Sequence, residues 1–459
     1  MTEKEENRME KDMTAGTPGK IIFNFTMPIF IGNIFQQFYN MADTVIVGKF
    51  VGNAALAAVG ACGTLVFLII GFLQGVTAGF TVVTAQHFGA GNMKAMKKSV
   101  ASGAVLTGIV TVILTLLSMI SMAKVLHLMN TPSDMYGEAY GYIMVICGGI
   151  VAQALYNYLA SVLRALGDSK RPLYFLVIAA LLNIVLDLVF IIVFRMGAAG
   201  AAYATVIAQG ISAVCCLIYI VKRFPILHLE RKDFEICWDS FGRLLKLGIP
   251  MGLQFSITAI GTIIVQSAVN IYGPVHMAGF SAAGKIQNIF ATVFTAFGAT
   301  IATYVGQNRG AGKMDRVKQG VRYTQMMVLG WSVFVMFLMF FFGKYLTYLF
   351  VDPSEQDVVN VSVTYFRTVF WAYPFLGRIF LYRNTLQGMG YGLVPMLGGV
   401  FELVARTGIV VLIAGHTSFA GVCMADPTAW IAALIPLIPY YFHVMKKYKN
   451  KSQVQVIED

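Results

Sequence analysis

The chain alternates long apolar runs with short polar breaks. Each run is roughly twenty residues or more, enough to cross a hydrocarbon layer about 30 Å thick. Twelve spans are predicted, at 21 to 47, 55 to 85, 99 to 123, 138 to 163, 172 to 194, 198 to 221, 243 to 271, 277 to 305, 320 to 348, 361 to 387, 394 to 414 and 418 to 443. The runs are continuous and lack the period-two alternation of outer-membrane strands, so they read as helices. The predicted fold class is an all-α integral membrane protein with twelve transmembrane helices.

Polar residues interrupt this pattern at helical spacing. The fifth span reads LLNIVLDLVFIIVF from 181, which puts Asn183 and Asp187 one turn apart inside hydrocarbon. The first span places Asn33, Gln36 or Gln37, Asn40 and Asp43 at three- and four-residue intervals along one helix face. The fourth adds Gln153 and Asn157 at i and i+4. Lipid disfavours such stripes, so these faces should meet protein or water.

The pattern also repeats. AQHFGAGNMKAMKKSV at 85 and GQNRGAGKMDRVKQGV at 306 share Gln, Gly-Ala-Gly, Met, Lys and Val in register, displaced by 221 residues. Gly52, Ala57, Ala61, Gly63 and Ala78 extend the match backward to Gly273, Ala278, Ala282, Gly284 and Ala299. LRALGDSKRP at 163 echoes LQGMGYGLVP at 386, and Pro28 and Pro250 sit comparably in the first span of each half. Six spans are thus used twice. The expected division is a tail at 1–20, a lobe at 21–221, a polar linker at 222–242, a second lobe at 243–445 and a tail at 446–459. Because six is even, the repeat is parallel, an arrangement met among secondary transporters that bind between halves.

Composition agrees, with 57% hydrophobic and 12% charged residues and a mean hydropathy of +0.71. A net charge of +12 raises the question of nucleic acid, and the placement of the charges answers it. Lys94, Lys97, Lys98, Lys222, Arg223, Arg309, Lys313 and the Lys446 to Lys451 tail fall on one side, against Lys49, Lys124, Arg195 and Lys344 on the other. That bias marks the cytoplasmic side and places both termini there; no nucleic-acid partner is expected. The first twenty residues carry no apolar core with a cleavage site, so no secretory signal is expected. Six cysteines without a CxxC pair read as free thiols. Dispersed histidines, no HExxH and no P-loop leave no metal, catalytic or ATP-binding signature. The chain is not expected to be an enzyme or to hold a cofactor, and an ion gradient is the expected energy source.

The motifs DMTAGTP at 12, GNIFQQFYNMADTVIVGKFVG at 32, HFGAGN at 87, NIVLD at 183, YRNTLQGMG at 382 and ADPTAW at 425 resemble the multidrug and toxic compound extrusion family over nearly the whole chain. The resemblance implies two pseudo-symmetric six-helix bundles around a central cavity, in a plasma or inner cell membrane. It also implies antiport of amphipathic, often cationic, drugs against Na⁺ or H⁺.

Depth brings the polar residues into relation. At 1.5 Å per residue, Asp187 lies about 10 Å below the outer end of its span and Thr205 about 10 Å below the start of the next. Asp43 sits somewhat nearer the outer end of the first span. Carboxylate, amide and hydroxyl oxygens suit a hard cation, and two buried carboxyls also suit a proton, because burial and a like charge both disfavour the ionised pair. In the family branch this chain resembles, a cation site lies in the N-terminal lobe; the matching positions are Asp43, Asn183, Asp187 and Thr205. An interfacial role for Asp43, a structural hydrogen bond for Asp187 and plain helix-gluing by Asn183 and Thr205 are the competing readings.

Gln36, Tyr39, Asn40, Gln153 and Asn157 are the candidates to line a substrate cavity, since polar residues in adjacent spans need a wet or ligand-filled space. In the other half Arg378, Glu402 and Arg406 form a candidate charge cluster, as consistent with a structural ion pair as with coupling. The seventh span has no acidic residue, which argues against a cation site there. The mechanism expected is alternating access: an entering ion neutralises Asp43 and Asp187, the first helix bends at Pro28 where one backbone hydrogen bond is lacking, and drug leaves. Expected partners are small drugs or organic cations and the bilayer, with a monomer as the working unit. A flippase of lipid-linked precursors is the rival transporter. A membrane enzyme or receptor would need a catalytic motif or a soluble domain that the sequence lacks.

Overall fold

The computed structural model describes residues 12–129, 131–235, 237–413 and 418–458. Residues 1–11 of the expected N-terminal tail, Ala414 at the end of the eleventh span, His416 and Asp459 lie outside these. Among the described residues there is no strand.

The helices are α1 (Pro18–Phe50), α2 (Asn53–Gly89), α3 (Met93–Leu128), α4 (Ser133–Gly148), α5 (Ile150–Ala165), α6 (Lys170–Leu188) and α7 (Gly197–Arg223). After two short 3₁₀ turns come α8 (Trp238–Asn270), α9 (Pro274–Gly310), α10 (Met314–Thr347), α11 (Gln356–Val369), α12 (Tyr373–Gly388), α13 (Leu393–Ile413), α14 (Phe419–Cys423) and α15 (Ala425–Glu458). Local chemistry sets several of these ends. The side chain of Asn92 accepts from the Ala95 amide at 3.0 Å and caps α3. Pro274 opens α9, where its missing N–H costs nothing. Asp168 Oδ1 takes the amides of Lys170 and Arg171 at 3.1 and 3.2 Å at the start of α6.

The internal repeat is visible in the backbone. α2 and α9 each have 37 residues, and α1 and α8 each have 33. The Gly-Ala-Gly segments end α2 and α9, with Gly91 at φ 67° and Gly312 at φ 71°, a conformation that favours glycine.

Ten helical spans among the described residues are long and apolar enough to cross a membrane, and eleven if α4 and α5, which meet at 46°, count as one. The tenth expected span, 361 to 387, is a break in the pattern: a 3₁₀ turn at Phe370–Ala372 divides it into α11 and α12. Those two short helices carry Asp357, Arg367, Arg378 and Arg383, so neither has the length or the composition of a free-standing span.

The chain packs as two compact units. One comprises 24–256 with the segment up to Ala15; the other comprises 257–459 with 16–23. In the first, α2 packs on α3, α4 and α5, and α7 packs on α4, α5 and α6. In the second, α9 packs on α10, α11 and α12, and α13 packs along α15. Along the chain the change from the first unit to the second falls inside α8, between Ser256 and Ile257. Gly79 and Gly248 explain this, because a methyl on Gly79 would sit 2.6 Å from the Gly248 Cα. Two helices cross almost backbone to backbone there, and Phe241, Leu244 and Leu247 of α8 join the core built on Val76, Phe80 and Leu163. All six cysteines are free thiols.

Candidate ion-binding site

Three helices of the first unit bring the predicted acidic site together. Asp43 comes from the C-terminal part of α1, Asn183 and Asp187 from one face of α6, and Thr205 from α7, which packs along α6. With its amide turned so that both ends are satisfied, Asn183 donates to Asp43 Oδ1 at 2.7 Å and accepts from the Thr205 amide at 3.2 Å. The Thr205 hydroxyl donates to Asp43 Oδ2 at 3.5 Å. Asn183 therefore holds α1, α6 and α7 in register around one carboxylate.

Asp187 differs from Asp43. It is fully buried, at 0% exposure, and among the described residues, apart from the neighbouring Asp43 carboxyl, no hydrogen-bonding group or cation reaches its carboxylate oxygens. Its nearest ionisable neighbour in effect is Asp43, and Tyr39 and Tyr142 lie within electrostatic reach of both acids. A buried carboxylate without a partner is costly, and a second acid beside it raises that cost. The arrangement is at ease only when a cation or a proton supplies the missing positive charge.

The backbone around Asp187 is also unusual. One residue beyond the end of α6 the chain turns as a π-helix over Val189–Val193, a form found mostly as single turns at functional sites. No hydropathy pattern signals that turn. Gln209 is a further residue the sequence reading missed: it is buried on α7, faces Tyr39, and its Oε1 has no partner. Its spacing of four from Thr205 was the available signal.

Of the predicted cavity residues, Tyr39 is buried and faces Gln36, which is half-buried. Asn40 is exposed, and its carbonyl accepts from Thr44 Oγ1 at 2.8 Å. Gln153 and Asn157 are half-buried on α5, and Asn157 Nδ2 is buried without a partner. Pro28 lies inside α1, which continues through it.

The second unit holds a different arrangement. Glu402 Oε1 pairs with Arg406 at 3.0 Å and Glu402 Oε2 with Arg383 at 3.2 Å. Arg406 also pairs with Asp426 at 3.2 Å, and the Tyr365 hydroxyl donates to the other Asp426 oxygen at 2.8 Å and also touches Gln287. Two buried cations and two acids balance. The predicted cluster is thereby corrected: Arg378 makes no ion pair among the described residues, and Arg383, five residues further along α12, takes its place. Five residues turn a helix by about 140°, so depth judged along the sequence selected the wrong face. Asp426 sits in the ADPTAW motif and was given no role from the sequence, although an acid next to a membrane proline invited one.

The chain matches the MatE family over residues 28–189 and 250–413, one stretch in each half of the repeat. It is 33% identical to the probable multidrug resistance protein YpnP of Bacillus subtilis, over 83% of this chain and 84% of that one. This protein belongs to the MatE family. An FAD transporter of Shewanella oneidensis is 22% identical over 80% of this chain and 82% of its own length. Among solved structures, a MATE crystal structure in complex with MaL6 superposes with a TM-score of 0.89 at 22% identity, covering 98% of this chain and all of that one. A MOP superfamily transporter from Pyrococcus furiosus superposes equally well, at 0.89 and 22% identity over 98% and 99%. At that identity the superpositions show a shared fold. The MatE chain is thus a multi-pass membrane protein whose first unit carries the buried Asp187 beside the half-buried Asp43.

Proposed function

We propose that this MatE protein is a secondary multidrug exporter, with twelve spans in a six-plus-six arrangement and both termini in the cytoplasm of a plasma or inner membrane. The multidrug resistance relatives support the cargo class. Na⁺ or H⁺ binds among Asp43, Asn183, Asp187 and Thr205, and the observation that carries this is Asp187, buried without a partner beside a second acid. Cargo occupies the polar face of Gln36, Tyr39, Asn40, Gln153 and Asn157 when the ion is absent.

Chemistry dictates the order of events. Two ionised carboxyls in a low-dielectric site repel, which favours a state in which water reaches them. A single positive charge removes the repulsion, draws α1 toward α6 and lets α1 bend at Pro28, where the i−4 hydrogen bond is missing. The ion's differential affinity for the two states is the whole of the driving force. Arg383, Glu402, Arg406 and Asp426 keep their charges mutually neutral and hold α12, α13 and α15 together; coupling belongs to the first unit. One monomer suffices.

Proteoliposomes loaded with a fluorescent organic cation test this. With inward Na⁺ and H⁺ gradients imposed separately, at least one should drive efflux by the parent protein, and Asp187→Asn should lose that response. Efflux by Asp187→Asn that still scales with the imposed gradient overturns the assignment. Lipid-precursor flipping without dye efflux would favour the flippase reading.

A further inference from the structure

Away from the acid pair and the buried ion network, the second unit carries an open cleft of about 440 Å³. It forms where α8 turns into α9 at Gly273 and where α11 begins; Tyr272, Val275, His276, Asp357, Asn360 and Val361 line it. One wall is aromatic. Tyr272 and His276 lie 5.7 Å apart between ring centres, and Phe419 backs both at 6.1 and 5.0 Å. Behind Phe419 the stack continues through Phe280, at 6.5 Å, to Tyr365 at 5.3 Å from Phe280, which anchors the wall to the Asp426 network. The wall is therefore continuous with the packed interior of the second unit.

The facing wall bears Asp357 in the first turn of α11, exposed and in no hydrogen bond or ion pair among the described residues. The helix start favours a carboxylate there on its own. It does not explain an aromatic wall opposite. Among the described residues no lysine or arginine lines the cleft, so an anion finds no counter-charge there, whereas a cation meets one carboxylate and the faces of π-systems. The volume falls in the range of small-ligand sites, which run from about 300 to 1,000 Å³.

We propose that this cleft is a second binding site, for flat organic cations, on the face of the second unit that the proposed topology puts outside the cell. Asp357 supplies the counter-charge and Tyr272 and His276 the stacking surface. It would hold cargo after release from the first unit. The side and the cargo rest on the proposed function; the chemistry of the site does not.

Val275, exposed on the cleft rim, supplies the reporter. In full-length Val275→Cys protein, a membrane-impermeant maleimide should label intact cells from outside, above the parent background, and ethidium should slow that labelling. Adding Asp357→Asn should shift the protecting ethidium concentration up about tenfold, and Asp357→Glu should restore it. Fluorescein, a flat anion, should not protect. Protection that is absent, unchanged by Asp357→Asn, or matched by fluorescein or by Mn²⁺ alone overturns the site, and labelling only in inside-out vesicles overturns its side. Asp187→Asn separates the two proposals, because ethidium should still protect the thiol introduced by Val275→Cys after coupling at the first unit is lost.

Discussion

The two halves of the repeat put acids in the membrane on opposite terms. In the first unit Asp187 is buried with no partner and faces another acid; in the second, Glu402 and Asp426 are each held by arginine, and Asp426 by Tyr365 as well. Duplicated scaffolds therefore need not duplicate chemistry. A charge that has its counter-ion inside the protein has no reason to recruit one from solution, while a charge without one must take up a proton or a cation or stay costly. On the proposed function, the same residue type is structural in one place and exchanges an ion in the other because of the arginines.

The widest separation should appear in stability. Arg406→Met leaves Glu402 and Asp426 buried without their shared partner, and removing one member of a buried ion pair costs about 3 to 5 kcal/mol. A steep fall in melting temperature in detergent is expected, and none is expected for Asp187→Asn. If both variants melt alike, the contrast between the units is wrong.

Next in size is the ion response. Na⁺ or low pH should raise the melting temperature of the parent protein, by linkage of ligand to the folded state. In Asp187→Asn that rise should vanish, and in Asp43→Asn it should be much reduced; differential scanning fluorimetry across a salt and pH series would show it. Arg406→Met, though less stable, should keep its ion response, and loss of that response would move coupling into the second unit.

Smaller effects sharpen the site itself. Thr205→Val removes one hydroxyl near Asp43, worth about 0.5 to 1.5 kcal/mol, so the half-saturating ion concentration for efflux should rise by about two- to tenfold. The smallest shift is expected from Arg378→Met. Having no ion pair, Arg378 should change the melting temperature by no more than a surface substitution does, within about 0.5 kcal/mol. A cost like that of Arg406→Met would put Arg378 back into the network.

Much of this is legible in the amino-acid sequence. Asn183 and Asp187 stand out because hydrocarbon surrounds them in sequence, and their spacing of four already puts them on one helix face. The 221-residue displacement carries through to helices of equal length and to glycines of matching φ. Depth along the spans grouped Asp43, Asp187 and Thr205 correctly, since rise per residue is a local constant. Rotation about a helix axis relative to its neighbours is not local, and there the reading failed, choosing Arg378 over Arg383 and passing over Asp426 and Gln209.

What the amino-acid order determined by itself is the solvent of each segment, the helices that follow from it, and the repeat, because each depends on residues close together in the chain. Tertiary structure alone decided which buried acid has a partner, since that is set by contacts between helices tens of residues apart. It alone decided that α8 changes units midway, through a glycine crossing whose two sides lie 169 residues apart, at Gly79 and Gly248. Burial is written in composition, whereas the balance of charge inside the buried space exists only once the helices have met.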